Sequence, residues 1–327
     1  MKIETSASGK IFLTGEYMAL EGGRSIILST PQKTKVSLIE NNGPNNLFST
    51  SLSKVSYPFE IGEEADIIWL KDNPLGLGII LKEAVKKYGK HFANKSIHID
   101  THDFFSEKRK IGIGSSAAVS VSITEALNQL FGSELEPKEI IDFALKIHAM
   151  SQKSNGSGFD VITSYLGVKA LSCRLQDRGE YEYSQILLPE EIIVIAVLSN
   201  SSASTSAMIN KYQSAKHKHP KYFTKQSKIM KRYLEFIYSS ILKKDSQLML
   251  KNLSKYNDLL FDLDSKFQVG IFNYHHEMME LAKSMNIFYK PSGAGGGDLG
   301  LIVSDDKVKI NLICEKLEVK GISFFEV

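Results

Sequence analysis

The segment Gly112-Ile113-Gly114-Ser115-Ser116-Ala117-Ala118 constrains this chain more than any other. It follows an extended stretch with a short strand candidate at Ile97 to Ile99. After it, Val119, Ile123, Ala126, Leu127, Leu130 and Phe131 recur at helical spacing until Gly132. At such a junction glycine lets the backbone approach an anion closely. The N–H groups of the first helical turn point at that anion with the positive end of the helix dipole. Ser115 and Ser116 can add hydroxyl donors or a magnesium ligand. The same string also fits an ordinary tight turn with a serine N-cap, so the loop alone leaves both readings open.

Two more loops bear on the choice. Asn155-Gly156-Ser157-Gly158-Phe159-Asp160 brings one carboxylate out of a flexible polar turn. Ser292-Gly293-Ala294-Gly295-Gly296-Gly297-Asp298 holds more glycine than a routine turn needs, and ordering it costs entropy. Three such loops point to a large polyanionic ligand, and a nucleoside triphosphate is the obvious candidate. No G-x-x-x-x-G-K-[ST] string is present. Residues 295–300 match G-x-G-x-x-G, but they precede the strand-like Leu301-Ile302-Val303 where a dinucleotide fingerprint would open a helix, so that match is coincidental.

A length of 327 residues exceeds what one core usually holds. The polar stretch 176–185 is the best boundary, which predicts domains at 1–185 and 186–327. Strands are expected around residues 2–38, 192–198, 301–304 and 322–327. Helices are expected at 75–87, after Ser116, at 137–150, over most of the chain beyond Ser206, and up to Leu317. This is an α+β pattern. Hydrophobic residues make up 43% and charged residues 24%, the balance of a soluble protein. No run approaches the roughly 20 apolar residues that span a bilayer, and the first residues lack the apolar core of a signal peptide. With only Cys173 and Cys314 present, far apart, a cytoplasmic setting is expected. A net charge of +3 is too small to argue for nucleic acid. The lysines at 211–231 read as a solvated face, with only Tyr212, Tyr222 and Phe223 interleaved.

Taken with Gly9-Lys10-Ile11-Phe12-Leu13-Thr14-Gly15-Glu16-Tyr17 near the start and Lys290-Pro291 ahead of the last glycine loop, these segments resemble the galactokinase, homoserine kinase, mevalonate kinase and phosphomevalonate kinase (GHMP) superfamily. Within it the chain looks most like the phosphomevalonate kinases. Gly-Glu-Tyr stands where mevalonate kinases commonly have Gly-Glu-His, and the second loop is approached through Lys110-Ile111. NGSGFDVITSY at 155–165 and Ser202-Ala203-Ser204-Thr205 are similar to segments of that family. Mevalonate kinases usually carry a metal-binding glutamate before the aspartate loop; Ile147-His148-Ala149-Met150-Ser151 has none.

The resemblance implies a two-domain fold, with an N-terminal ribosomal-S5-like α/β domain and a C-terminal ferredoxin-like α+β domain. It also implies ATP- and Mg²⁺-dependent phosphoryl transfer to 5-phosphomevalonate. Mevalonate kinase, another kinase of the superfamily, or a non-catalytic nucleotide-binding regulator are the alternatives; Lys10 and Asp160 argue against the last. Lys110, Gly112, Ile113, Gly114, Ser115, Ser116 and Ala117 are the implied ATP loop, with Ser115 or Ser116 on the metal. Asp160 would orient or deprotonate the acceptor, and Lys10 would stabilise charge on the transferred group. Lys10, Glu16, Tyr17, Ser157, Ser202, Ser204, Thr205, Ser292, Gly293, Ala294 and Gly295 are the implied acceptor contacts. Asp160 could otherwise be an N-cap or a surface ion pair, and Ser202, Ser204 and Thr205 simple caps. Arg109, Lys110 and Lys153 are candidate cations for the acceptor phosphate. His102 and His148 read as structural or exposed. The expected partner is a small phosphorylated acceptor, with no membrane or nucleic acid, bound by a monomer or homodimer.

Overall fold

The computed structural model describes residues 2–72, 74, 76–87, 89, 92–106, 109–132, 135–152, 156–177, 179–199, 201 and 204–327. Asn155, Ser202, Ala203 and Lys153, all singled out above, lie outside the described residues. The chain divides into two compact units. Unit 1 comprises residues 1–10, 29–109 and 113–167, and unit 2 comprises 11–28, 110–112 and 168–327. The division runs through the first motif after Lys10 and through the second after Gly112.

Strands β1 (Lys2–Thr14) and β2 (Ser25–Glu40) each contribute to both units. In unit 1 the sheet order is β2, β6 (Lys95–Asp100), β3 (Asn46–Thr50), β4 (Ser56–Ile61) and β5 (Ile67–Trp69), with β1 also paired to β2. β6 runs antiparallel to β2, with Val36 opposite Ile99, and parallel to β3, with Phe48 opposite Ile97. Two-residue strands β7 (Phe105–Ser106) and β8 (Arg109–Lys110) follow.

Helices α1 (Leu77–Val85), α3 (Pro137–Gln152) and α4 (Phe159–Leu166) all pack on α2 (Ser115–Leu130). Phe48, Phe59, Ile97 and Ile99 from the strands meet Leu81, Val85, Val119, Ile123 and Ile147 from the helices in one core. Alternate residues of each strand share a face, so Val36, Ile97 and Ile99 fall on the buried side while Ile39 and Ile68 are exposed.

α2 is buried around most of its circumference, yet it carries several hydroxyls. Ser120 Oγ, Ser122 Oγ and Thr124 Oγ1 each donate to the carbonyl four residues back, at 2.8–2.9 Å. Ser122 also lies 2.8 Å from Thr34 Oγ1, and its carbonyl accepts from Thr5 Oγ1 at 2.6 Å. Small side chains with satisfied hydroxyls thus let the helix lie close to the sheet without an orphaned polar group.

In unit 2, β9 (Ala170–Leu175) pairs antiparallel with both the first residues of β2 and β10 (Tyr181–Ile186). The stretch 176–185, expected as a domain boundary, is therefore a hairpin turn and a strand, and the chain leaves unit 1 for the last time after Gly167. Residues Glu182, Tyr183, Ser184 and Gln185 are all exposed, as suits a strand at the edge of the sheet.

A second antiparallel sheet has the order β12 (Phe288–Pro291), β13 (Leu299–Ser304), β11 (Ile193–Leu198) and β14 (Phe324–Glu326). Ile195, Val197, Tyr289 and Ile302 on one face pack with α8 (His276–Ser284) and α9 (Lys307–Val319). Between β11 and α8 come α5 (Thr205–Lys218), α6 (Pro220–Leu242) and α7 (Ser246–Phe267). Met230, Leu234, Ile237 and Ile241 of α6 and Met249, Leu253, Tyr256, Leu260 and Leu263 of α7 are buried at three- and four-residue intervals, the stripes by which two packed helices meet. Among the described residues no helix is long and apolar enough to cross a membrane.

Burial pushes the half-buried Glu125 of α2 up to about 7 from 4.5. Below pH ~4.5 the group is protonated folded or unfolded. As pH rises the unfolded chain ionises first, so stability falls until the folded carboxyl also ionises. Glu125→Gln should therefore be neutral near pH 4 and stabilise by about 1 kcal/mol at pH 8, a figure discounted for partial solvation. Urea unfolding at the two pH values measures the difference.

Candidate active site

Unit 1 gathers Lys10, the start of α2, the end of α3 and the start of α4. Lys10 N–H donates to the carbonyl of Ile113 at 2.8 Å, which stitches β1 to the turn ahead of α2. Ile113 is buried and anchors that turn. Gly114 is the N-cap residue at φ +81°, and a Cβ there would fall 2.8 Å from Lys10 Cε. The methylene stem of Lys10 therefore runs over the glycine itself.

No side chain caps α2, so the serine N-cap reading does not hold: Ser115 is the first helical residue. The amides of Ser115, Ser116 and Ala117 at an uncapped helix start, beside a lysine, form a cradle that fits an oxyanion such as a nucleotide phosphate. Ser115 is buried, while Ser116 is half-buried.

Asp160 sits in the first turn of α4, behind the N-cap Gly158 at φ +73°. It is thus not the N-cap, and it is half-buried. Its Oδ1 accepts from Val161 N–H at 3.0 Å, and its Oδ2 lies 3.8 Å from Nε2 of His148. The same Nε2 is 3.1 Å from Ser116 Oγ. His148, read from sequence as structural or exposed, instead connects the helix start to the aspartate. The overlooked signal was its spacing: it continues the Ile140–Ala144 stripe by four residues, so a polar ring ends an otherwise apolar face. Ser157 is half-buried in the loop before Gly158. Lys110 and Arg109 are exposed, and His102 opens a short 3-10 turn at residues 102–104.

In unit 2 the first and third motifs fasten to each other. Ser292 Oγ accepts from Phe12 N–H at 3.1 Å and donates to Phe12 O at 2.9 Å. Tyr17 OH donates to Ala294 O at 2.7 Å. Lys290, fully buried, donates to Glu16 Oε1 and to Pro291 O. Desolvation pushes the Glu16 carboxyl up and the Lys290 ammonium down, and each partner opposes the shift of the other.

Glu16 and Tyr17, expected as acceptor contacts, are buried at 2% and 5% exposure, and their side chains hold the 292–294 turn. Gly296 N–H donates to Ile271 O at 2.8 Å, in a loop that Asp264 braces by accepting from the amides of Gly270 and Phe272 at 2.6 and 2.9 Å. Neither Lys290 nor Asp264 had been assigned a role. A Cβ on Gly112 would meet Asp298 Cβ at 2.5 Å, so glycine is needed there for close approach. At α5, Ser204 Oγ accepts from Ala207 N–H at 3.4 Å, the capping role weighed above, and Thr205 is exposed.

Residues 79–168, which include the Gly114 turn, His148 and Asp160, match the model of the GHMP kinases N terminal domain. The chain is 23% identical to a mevalonate kinase of Thermococcus sibiricus over 322 residues, covering 94% of this chain and 90% of that protein. It superposes with a TM-score of 0.85 on a solved Lin0012 protein of Listeria innocua, at 20% identity and covering 99% and 97% of the two chains. On a Streptococcus pneumoniae phosphomevalonate kinase solved with phosphomevalonate and AMPPNP, the TM-score is 0.77 at 17% identity, covering 99% and 100%.

Residues 79–168 thus carry a GHMP kinases N terminal domain, and the chain is similar to GHMP kinases along almost its whole length. Its fold is the two-domain α+β fold of those kinases. Other matching relatives include mevalonate kinases and a phosphomevalonate kinase.

Lys290→Ala leaves a buried carboxylate without its cation and should cost about 3–5 kcal/mol. Replacing both partners, Glu16→Leu with Lys290→Met, should recover most of that loss. Denaturant unfolding of the single and double variants measures the difference.

Proposed function

We propose that this chain transfers the γ-phosphoryl group of ATP to 5-phosphomevalonate, giving ADP and 5-diphosphomevalonate. The observation that carries the reading is the uncapped start of α2, where open amides, the stem of Lys10 and the Ser116–His148–Asp160 contacts lie within one unit. Ser115, Ser116 and Ala117 would hold ATP phosphates on their amides, with Lys110, Gly112, Ile113 and Gly114 leading into that turn. Magnesium, when bound with the nucleotide, neutralises phosphate charge. Among the described residues no three His, Cys, Asp or Glu side chains form a metal cluster. Ser115 and Ser116 are therefore the proposed protein ligands, with phosphate oxygens completing the shell.

In the step itself an acceptor oxygen forms a bond to the γ-phosphorus, and the bond to the ADP oxygen breaks with its electron pair. A phosphate monoester is largely ionised at neutral pH, its second pKa being about 6. Asp160 then orients the acceptor and need not take a proton, while Lys10 balances charge on the transferred group. Ser157, Ser204 and Thr205 keep their proposed acceptor role, each tested by its own effect on acceptor KM. The proposed reading gives Glu16, Tyr17 and Ser292 to the framework of their loop.

A second reading is mevalonate kinase, favoured by the similarity to the Thermococcus sibiricus protein along almost the whole chain. Mevalonate presents a hydroxyl, so there Asp160 would serve as a base. The phosphomevalonate reading is supported by the Gly15-Glu16-Tyr17 and NGSGFDVITSY motifs.

A coupled ADP-release assay with mevalonate, 5-phosphomevalonate, galactose and homoserine should give turnover with 5-phosphomevalonate. Turnover with mevalonate alone moves the assignment to the second reading. Asp160→Asn should lower turnover by about 10²-fold or more with the fold intact by circular dichroism. Near-normal turnover would remove Asp160 from the mechanism.

A further inference from the structure

One ring atom of unit 1 meets three helix ends. Nε2 of His148, in the last turn of α3, is 3.1 Å from Ser116 Oγ in the first turn of α2. It is also 3.8 Å from Asp160 Oδ2 in the first turn of α4. Asp160 Oδ1 is occupied by Val161 N–H, so the oxygen left for other contacts is the one that faces the ring. The two side chains keep 15% and 23% of their exposure, and attraction across this gap is less screened than on an open surface.

An ionised carboxylate only accepts hydrogen bonds, and a bare lone pair on Nε2 would be repelled by it. The serine hydroxyl can accept as well as donate. Both neighbours therefore suit an Nε2 that carries a hydrogen. That hydrogen has two acceptors and can serve only one of them well. At 3.1 Å Ser116 Oγ is within reach of such a hydrogen; at 3.8 Å the aspartate is just beyond hydrogen-bond range, and a shift of about 1 Å would reach it.

We infer that His148 is a positioning residue that aims the Asp160 carboxylate in register with Ser116, by sharing one N–H between them. This deepens the proposed kinase function and rests on it. Anything that draws the Ser116 hydroxyl away from the ring releases the N–H to Asp160. Engagement of the helix start is thereby linked to the aim of the carboxylate. The backbone of His148 is held for this duty, since its carbonyl accepts from Ser151 Oγ at 2.8 Å.

The test has two arms, both on the full chain. In protein carrying ¹⁵N-histidine and no ligand, the ring signal lost in His148→Gln should show hydrogen on Nε2. That signal should shift in both Ser116→Ala and Asp160→Asn. A bare Nε2, or a ring indifferent to both substitutions, overturns the inference. In the kinetic arm, His148→Ala should lower kcat about 10–100-fold while the KM for ATP stays within about threefold.

His148→Gln, whose amide N–H reaches the same point, should recover to within about fivefold of wild type, and His148→Ala should add nothing on an Asp160→Asn background. Equal losses on both backgrounds, or no recovery with glutamine, would make the residue merely structural and overturn the positioning role. If the wild type releases no ADP with any acceptor, the kinase reading falls, and the ring signal alone then decides whether the shared N–H exists.

Discussion

The backbone hydrogen bond from Lys10 N–H to Ile113 O, 2.8 Å long, is the constraint on which the candidate site depends. It ties the strand of the first motif to the turn of the second. One residue thereby contributes twice, its amide holding the turn and its side-chain stem covering Gly114. The buried Ile113 prevents the turn from swinging out. With the turn pinned on both sides, the first amides of α2 are aimed before any anion arrives. Little reorganisation then opposes binding or charge development, the condition under which fixed dipoles act most strongly.

Such a helix start has a cost, because uncapped amides and a left-handed glycine stabilise nothing by themselves. The compensation lies further along α2. Its hydroxyl ladder satisfies Ser120, Ser122 and Thr124 against the helix's own backbone, and Thr5 and Thr34 close the contact to the sheet. A leucine-rich helix would have stood further off. The small Ser and Ala residues after Gly114 thus serve the fold and the site together: they bring the helix near the sheet and leave its first turn open.

The strand–turn–helix around Gly114, the long helices beyond Ser206 and the last two strands of unit 2 were legible because each carries its signal locally. Periodicity marks α6 and α7, and glycine marks the turn. The 46–69 strands were not legible. They are three to six residues long, and their stability comes from partners such as β6, nearly 50 residues away in sequence. β10 was hidden for a related reason, since a solvated edge strand reads as polar linker until its partner β9 is known. At the site, Asp160 stood out by its loop, whereas His148 needed three helices to be folded before its contacts existed. Pattern within one segment cannot report a contact made of three.

The first and third motifs teach something different about legibility. Glu16, Tyr17, Lys290 and Ser292 lie in motifs that resemble those of the superfamily, and each is engaged in holding one motif to the other. A buried lysine–glutamate pair is tolerated at such a place because both charges find partners, and removing either would leave the other stranded. These residues hold the frame of the two motifs, and of them only the Gly15-Glu16-Tyr17 string bears on the proposed acceptor. The proposed acceptor contacts Ser157 and Thr205 instead keep access to solvent. A scaffold divided this way can change its substrate at exposed hydroxyls while its buried bonds stay the same. That is why motifs reach the superfamily more readily than the substrate.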